Sequence, residues 1–496
     1  MASFMNLSKM ISLIRLLPIL LVFTVGSAAC GAPPASITNP LADLSGVEPT
    51  NGPAPLGAGF TELVPSSDSR IIYVSSSEGN DANTGEDEAN PVATIAKGIT
   101  LLRNGFPDWL LLRKGDTWYE AIGQWKKSGR SASEPMVVSA YGPSTVRPLL
   151  KTGSRSALVT NGGGGSPPSM DYLVFKGLHF YAHTRDPGNT AEYTGANGNR
   201  GIQLLSGSNF LLIEDNRFSF YTNGLAIQDY EGFEFSNIYI RNNIITDSYN
   251  LSSVGHSQGI FMKGVTSALI EGNILDHNGW HDTVDGAQKT IYNHGVYIQV
   301  DNEAGGVNVV DNIIMRSSSH GVQLRSGGLL NGNLMIENAI ALQLGDWQTT
   351  LGYNGRPGAI DDNIILYGND ITATGPRGWG ILIYEGFDIS IANNILAHVE
   401  SAGTNIVGIN PNYKGNSSDV RLSNNIIHDW GTYDTGSPED YVDPDRSIES
   451  YSISVGGAGT RADFYAQLRA QSADNWNDDY SIANIKQYFR DGFALR

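Results

Sequence analysis

Cysteine is nearly absent. Cys30 is the only one in 496 residues, so no intrachain disulfide can form and a multi-cysteine zinc or iron–sulfur site is excluded. Basic residues are scarce. Against 50 Asp+Glu stand 32 Lys+Arg, a formal net charge of −18, which argues against nucleic acid as a partner because phosphate binding needs a basic face. Long apolar runs are missing too: Leu16–Val25 is too short to span a membrane, and no 18-residue apolar stretch is present. Glycine is plentiful, at 58 residues, but lacks the every-third-residue period of collagen. An apolar content of 40% supports a long core and excludes a wholly disordered chain.

Residues 1–29 read as an export signal. Lys9 and Arg15 precede the apolar run, and the small residues Gly26, Ser27, Ala28 and Ala29 follow it. Cys30 at that boundary resembles the lipidated cysteine of bacterial lipoproteins, although Ser27 stands where that family usually has Leu. Plain cleavage after Ala29 is the alternative. The expected location is secreted, periplasmic or outer-membrane-anchored in a bacterium, with the membrane touched only through a lipid on Cys30. Residues 30–68 are rich in Pro, Gly, Ala and Ser, including Pro33, Pro34, Pro40, Pro49, Pro53, Pro55 and Pro65, which is linker composition.

A short motif then repeats: an apolar residue, two variable residues, Asn, and two apolar residues. Ile240-Arg-Asn-Asn243-Ile-Ile245 is one copy and Ile270-Glu-Gly-Asn273-Ile-Leu275 the next. Asn216, Asn312, Asn333, Asn363, Asn394 and Asn425 mark the others, at intervals of 21 to 39 residues along the series, and after Asn216 the first following residue, Arg217, is not apolar. Between the copies lie alternating strands opened by Gly, such as Gly259-Ile-Phe-Met-Lys263 and Gly295-Val-Tyr-Ile-Gln299. Two or three short strands per repeat with Asn at one turn predict an all-β solenoid, the parallel β-helix, with the Asn side chains bonded from coil to coil.

Residues 70–435 resemble the right-handed parallel β-helix superfamily of carbohydrate-active enzymes, the pectate-lyase-like group that includes alginate lyases and chondroitinases. Ile71-Ile-Tyr-Val-Ser75, the loop Gly79–Gly85 and Pro91–Gly98 resemble the family's opening strand, turn and plugging helix. The expected organisation is a cap with first coils over 69–150, the β-helix with its groove over 151–435, and a C-terminal cap with helices over 436–496. Within the last segment, Arg461–Gln471 and Ile482–Phe489 read as helices that cap the end or lie across the coils.

A β-helix interior is packed with side chains, so chemistry belongs on an outer sheet face flanked by long turns. The longest interval, Asn273 to Asn312, contains the insertion Asp276–Asp285. In the Gly-opened strands the first and third residues after Gly face inward and the second and fourth outward. This alignment groups Lys263, His294, Tyr297 and Arg325 on adjacent coils. Those residue types fit β-elimination of an acidic polysaccharide: Lys263 or His294 as base, Tyr297 as acid, Arg325 beside the carboxylate, with Arg325 depressing the Lys263 pKa. Trp280 is expected to stack on a sugar, and His256, His281, Gln299, His320 and Gln323 to contact the ligand. The resemblance implies a calcium held by Asn and Glu in some members, but no such ligand set is evident, and the cofactor is left unassigned. The partner is an acidic glycan and the chain a monomer. Alternatives are a glycoside hydrolase using carboxylates among Asp276, Asp282, Asp285 and Glu385, a C5-epimerase, and a non-catalytic glycan-binding protein.

Overall fold

The structure, a computed structural model, describes residues 53, 56, 59–160, 169–229, 233–252, 255–346, 356–431 and 441–494. The signal expected over 1–29, Cys30 and most of the 30–68 segment lie outside the described residues.

Among the described residues each complete coil gives one strand to each of three parallel sheets, and the first and last coils are partial. Sheet 1 has 12 strands, from Ile71–Val74 to Ser418–Ser423. Sheet 2 has 11 short strands, from Thr117–Trp118 to Ile426–His428. Sheet 3 has 10, from Gly123–Gln124 to Val407–Asn410. The chain runs from sheet 1 through the Asn turn into sheet 2, crosses a loop to sheet 3 and returns. This is the parallel β-helix that the repeat predicts.

The motif explains the geometry residue by residue. Its leading apolar position forms one interior column of sheet 1, Ile213, Ile240, Ile270, Val309, Leu330, Ile360 and Ile391, each fully buried and paired in register. The residue before each Asn has a left-handed φ between 51° and 67°, and those eight positions hold only Asp, Asn or Gly, the residues that tolerate it at least cost. The Asn then bonds to the next coil. Asn243 Nδ2 donates to Asn273 Oδ1 at 2.9 Å, Asn273 to Asn312 at 2.9 Å and Asn312 to Asn333 at 3.0 Å. The series runs unbroken from Asn216 to Asn425. Each Asn Oδ1 also accepts the backbone N–H of the preceding Asn, as Asn312 does from Asn273 at 2.9 Å, so the turn's buried polar groups are met.

Two apolar residues follow each Asn except Asn216, which Arg217 follows, because most of sheet 2 is buried on both faces. Ile314 packs in the solenoid core, while Ile313 and Met315 meet the C-terminal helices. Those helices, Ile448–Ser454, Arg461–Arg469 and Ile482–Gly492, lay Phe464, Leu468, Ile485 and Phe489 across the outer face of sheet 2. Of the two placements open on sequence, the described helices therefore lie across the coils instead of capping the end. Arg469 pairs with Asp247 at 3.0 Å and also with Asp276, and Arg461 with Glu337 at 2.8 Å. At the N-terminal end, helix Ile95–Leu101 covers the core. Its Gly98 lies where a Cβ would be 2.7 Å from Leu110 Cδ1 and 2.9 Å from Val74 Cγ2, so a larger residue there would require those side chains to shift.

The described end of the proline-rich segment is not a free linker. Thr61 N donates to both Glu214 carboxylate oxygens at 3.0 and 3.1 Å, and Arg241 reaches Gly59 O at 3.3 Å. Local composition was a poor guide here because the partners, Glu214 and Arg241, are distant in sequence.

Asn312→Ala should strand donors and acceptors on both neighbouring coils, at roughly 1–3 kcal/mol per group. The expected loss is about 3 kcal/mol or more by urea unfolding, and Asn425→Ala, at a part-exposed rung, should lose less. Equal, small losses at both positions would contradict a stabilising ladder.

Candidate functional site

The groove lies on the outer face of sheet 3. Val296 and Ile298 point into the core, as do Val322 and Leu324. Tyr297, Gln299, Gln323 and Arg325 face out, as the alternation predicts. Gly295 breaks the alternation just before them. A Cβ on Gly295 would be 2.7 Å from Gly321 O, and one on Gly259 would be 2.5 Å from Gly295 O. The bend at these glycines turns the preceding residue outward as well, so His294 stacks on Tyr297 with ring centroids 4.6 Å apart.

His294 is pinned at one nitrogen and open at the other. Gln258 Oε1 accepts from the His294 backbone N–H at 2.7 Å and lies 2.8 Å from Nδ1. Because that oxygen is an acceptor, it fixes the proton on Nδ1 and leaves the lone pair on Nε2, for which no hydrogen-bond partner occurs among the described residues. Burial, with His320, His256 and Arg325 nearby, holds the His294 pKa well below 6.5, so the ring is neutral around pH 7. His320 lies 4.8 Å from His294, ring to ring. Both its nitrogens are in contact, Nε2 with Gln343 Oε1 at 2.9 Å and Nδ1 with Ser319 Oγ at 3.1 Å. His294 is therefore equipped to take a proton from the groove, and His320 is a packing partner.

Arg325 holds Tyr297. Its Nη1 donates to Tyr297 Oη and to Gln299 Oε1, each at 2.9 Å, and its Nε donates to Asp346 Oδ1 at 2.8 Å. With Asp346 against it, Arg325 is not the free cation expected to neutralise a substrate carboxylate. It fills one acceptor site of the phenol and leaves the phenolic proton free to be donated elsewhere.

The other expected site residues divide clearly. His256, Gln299, His320 and Gln323 line the groove. Lys263 does not. Its Nζ lies between Asp229, at 3.7 Å, and Asp301, at 3.8 Å, and these two carboxylates, with Arg325 not among its partners, set its surroundings. Trp280 is also outside the groove. Its Nε1 donates to Arg316 O at 2.8 Å, and its faces meet His277 and Lys289. His281 packs on Tyr249 and His277 beside sheet 2. The long interval from Asn273 to Asn312 does reach the groove, but through Ile291 and Tyr292, beyond the Asp276–Asp285 insertion.

Two adjoining cavities make up the groove, about 420 and 240 Å³. They share His256 and Tyr297. The larger extends to Arg377, Trp379, Tyr384, Tyr413 and Lys414, and the smaller to Arg200, Gln203 and Gln228. Several of these escaped the sequence alignment. Gln343 follows Ala341, which replaces the strand's opening Gly, and Arg200 precedes Gly201 in a strand of the same pattern, Arg200–Leu204. No Asp or Glu among the described residues lines either cavity. Asp276 is buried between Arg316 and Arg469, Asp282 accepts from His277, and Glu385 accepts from Asn416. A carboxylate pair for hydrolysis is thus not assembled there. Among the described residues, no three His, Cys, Asp or Glu side chains converge on a metal position.

The buried histidines make stability depend on pH. Burial lowers the His320 pKa to about 3, whereas an unfolded histidine titrates near 6.5. Between these values the unfolded chain binds more protons, so stability falls as pH is lowered, by up to about 1.4 kcal/mol per pH unit for one such group. His320→Gln should flatten the fall of the thermal midpoint between about pH 6.5 and 4. An unchanged slope would contradict the buried, neutral ring.

Residues 188–355 match a family model described as a right handed beta helix region. No curated protein matches the chain. Solved structures resemble it at low identity. A rhamnogalacturonan lyase is 12% identical over 75% of this chain and 91% of that one, with a TM-score of 0.44. XylC in complex with xylose is 14% identical over 78% and 80%, at 0.48, and pectate lyase Pel9A is 13% identical over 77% and 84%, at 0.41. Such likeness says nothing of this chain's chemistry. The family match covers about a third of the chain, and the three stacked parallel sheets give the described residues the parallel β-helix fold.

Proposed function

We propose that the protein is a polysaccharide lyase that cleaves a uronic-acid-containing glycan by β-elimination on the outer face of sheet 3. One observation carries this reading: a neutral histidine with Nε2 open to a groove that no carboxylate lines among the described residues, stacked on a tyrosine whose phenol oxygen is held by arginine.

The roles follow from those contacts. His294 Nε2 removes the proton alpha to the uronate carboxylate. The C–O bond to the departing sugar breaks as the ring double bond forms. Tyr297 gives its proton to the leaving oxygen, and the Arg325 donor stabilises the resulting phenolate. Proton exchange with water restores both groups. Arg377 and Lys414 supply positive charge at one end of the groove. Export through residues 1–29, with an anchor at Cys30, belongs to the same reading and suits a polymeric substrate.

The test is absorbance near 235 nm with alginate, pectate, hyaluronan, chondroitin and glucuronan. A rise reports the unsaturated product. His294→Ala and Tyr297→Phe should each lower kcat about 10²–10⁴-fold, and Arg325→Lys about tenfold through loss of its multiple contacts. Lys263→Ala should change kcat little. The ascending limb of kcat/KM against pH should fall below pH 6.5, since His294 must be neutral. Reducing ends without absorbance would transfer the reading to hydrolysis, and an active His294→Ala would remove His294 as base.

A further inference from the structure

The chain carries 50 acidic against 32 basic residues, and its buried or half-buried arginines are mostly paired. Arg325 has Asp346, Arg241 has Glu214 and Glu271, Arg469 has Asp247 and Asp276. Two arginines in the groove are exceptions. Arg200 and Arg377 form no ion pair among the described residues, and the Nε of each is buried without a hydrogen-bond partner. The carboxylate nearest in sequence to Arg377, Asp370, is engaged by the Arg377 backbone N–H, Ser401 and Ala402. A half-buried guanidinium left unpaired is costly, and burial alone depresses the Arg200 pKa. In so acidic a protein, internal carboxylates are not lacking, yet none pairs with these two; Arg185, buried outside the groove, also has no ion pair but donates to three backbone carbonyls instead.

Their placement is regular. In register, Arg200 pairs with Asn223, Asn223 with Gln258 and Gln258 with His294. On the other side His294 pairs with His320, His320 with Ile340 and Ile340 with Trp379, two residues after Arg377. Arg200 thus lies about three strand spacings, ~14 Å, from His294 on one side, and Arg377 stands just before the strand three spacings away on the other. The Arg377 side is aromatic: its guanidinium lies 4.7 Å from the Trp379 ring, and Lys414 lies 4.9 Å from that of Tyr413. The Arg200 side is lined by amides, Gln203, Gln228 and Gln299.

We propose that Arg200 and Arg377 are paired anion anchors at the two ends of one groove, binding carboxylates of a single acidic oligosaccharide that crosses His294 on both sides. Internal cleavage of a polymer follows, since sugar units are held on either side of the reacting bond. The inference rests on the acidic-glycan reading above and adds its polarity: the Arg377 end stacks sugar rings, and the Arg200 end hydrogen-bonds hydroxyls.

Titration calorimetry on the full chain tests this, with oligosaccharides of two to eight units prepared from the five polymers named above, and the same oligosaccharides after carboxyl reduction. In a His294→Ala background, Arg200→Gln and Arg377→Gln should each weaken binding of the longest acidic oligosaccharide about tenfold or more, the scale of one lost charge-assisted contact. Neither should affect dimers that are too short to span both arginines as strongly as both affect the longest chain. Carboxyl-reduced oligosaccharides should bind the parent weakly and the variants no worse. Unchanged melting temperatures confirm that the variants fold. Binding that depends on both arginines without any 235 nm product would leave this inference standing and remove the lyase reading. Equal affinity in parent and variants, equal affinity for reduced and acidic chains, or no binding of any acidic chain would overturn it.

Discussion

Every side chain in the groove takes its position from the stacking register of the coils, and the asparagine ladder holds that register. A strand slipped by one residue would turn Tyr297 inward and Ile298 outward. The ladder opposes such a slip, because an Asn satisfies a backbone N–H, an Asn oxygen and a carbonyl on adjoining coils at once, as Asn273 does in accepting from the Asn243 N–H and donating to Asn312 Oδ1 and Ile240 O. A shift would leave several buried polar groups unmet together. Coil length can then vary without disturbing the sheets. The 39-residue step from Asn273 to Asn312 and the 21-residue step from Asn312 to Asn333 share one ladder geometry, so the extra chain of the longer step leaves through the turn and forms a groove wall.

The same economy governs charge. Several acidic residues on the solenoid attach other parts of the chain: Glu214 holds Thr61, Asp276 and Asp247 hold Arg469, and Asp362 holds Lys486 at 2.7 Å. The groove differs in having no carboxylate in its lining among the described residues and two unpaired arginines. The net charge of −18 therefore does not oppose an anionic ligand at short range, since charges beyond about 8 Å are screened at physiological salt. Local composition sets the groove's preference.

The fold was largely legible in the sequence because its signals are local and repeated. The Asn positions, the Asp, Asn and Gly before them, and the Gly-opened strands each state one geometric need. Inward and outward columns followed, which brought His294, Tyr297, Arg325, Gln299 and Gln323 to one face. Legibility failed where placement depends on loops. Trp280 and His281 share the long Asn273–Asn312 interval with Tyr292, yet they turn toward sheet 2 because His277, Tyr249 and the Arg316 carbonyl are there to receive them. Lys263 sits in the correct column, but Asp229 and Asp301 on neighbouring loops draw its ammonium aside. The role expected of Arg325 changed because Asp346, after a strand whose opening Gly is replaced by Ala341, did not enter the alignment.

The central claim is that His294 Nε2 takes the proton alpha to a uronate carboxylate and that Tyr297 acts only afterwards, on the leaving oxygen. Proton exchange separates the two steps. In D2O, NMR of the susceptible polymer with the Tyr297→Phe variant should show loss of the proton at that carbon faster than chain cleavage, and His294→Gln should show neither exchange nor cleavage. Exchange that persists in His294→Gln, or that vanishes with Tyr297→Phe while His294 is intact, would contradict the assignment.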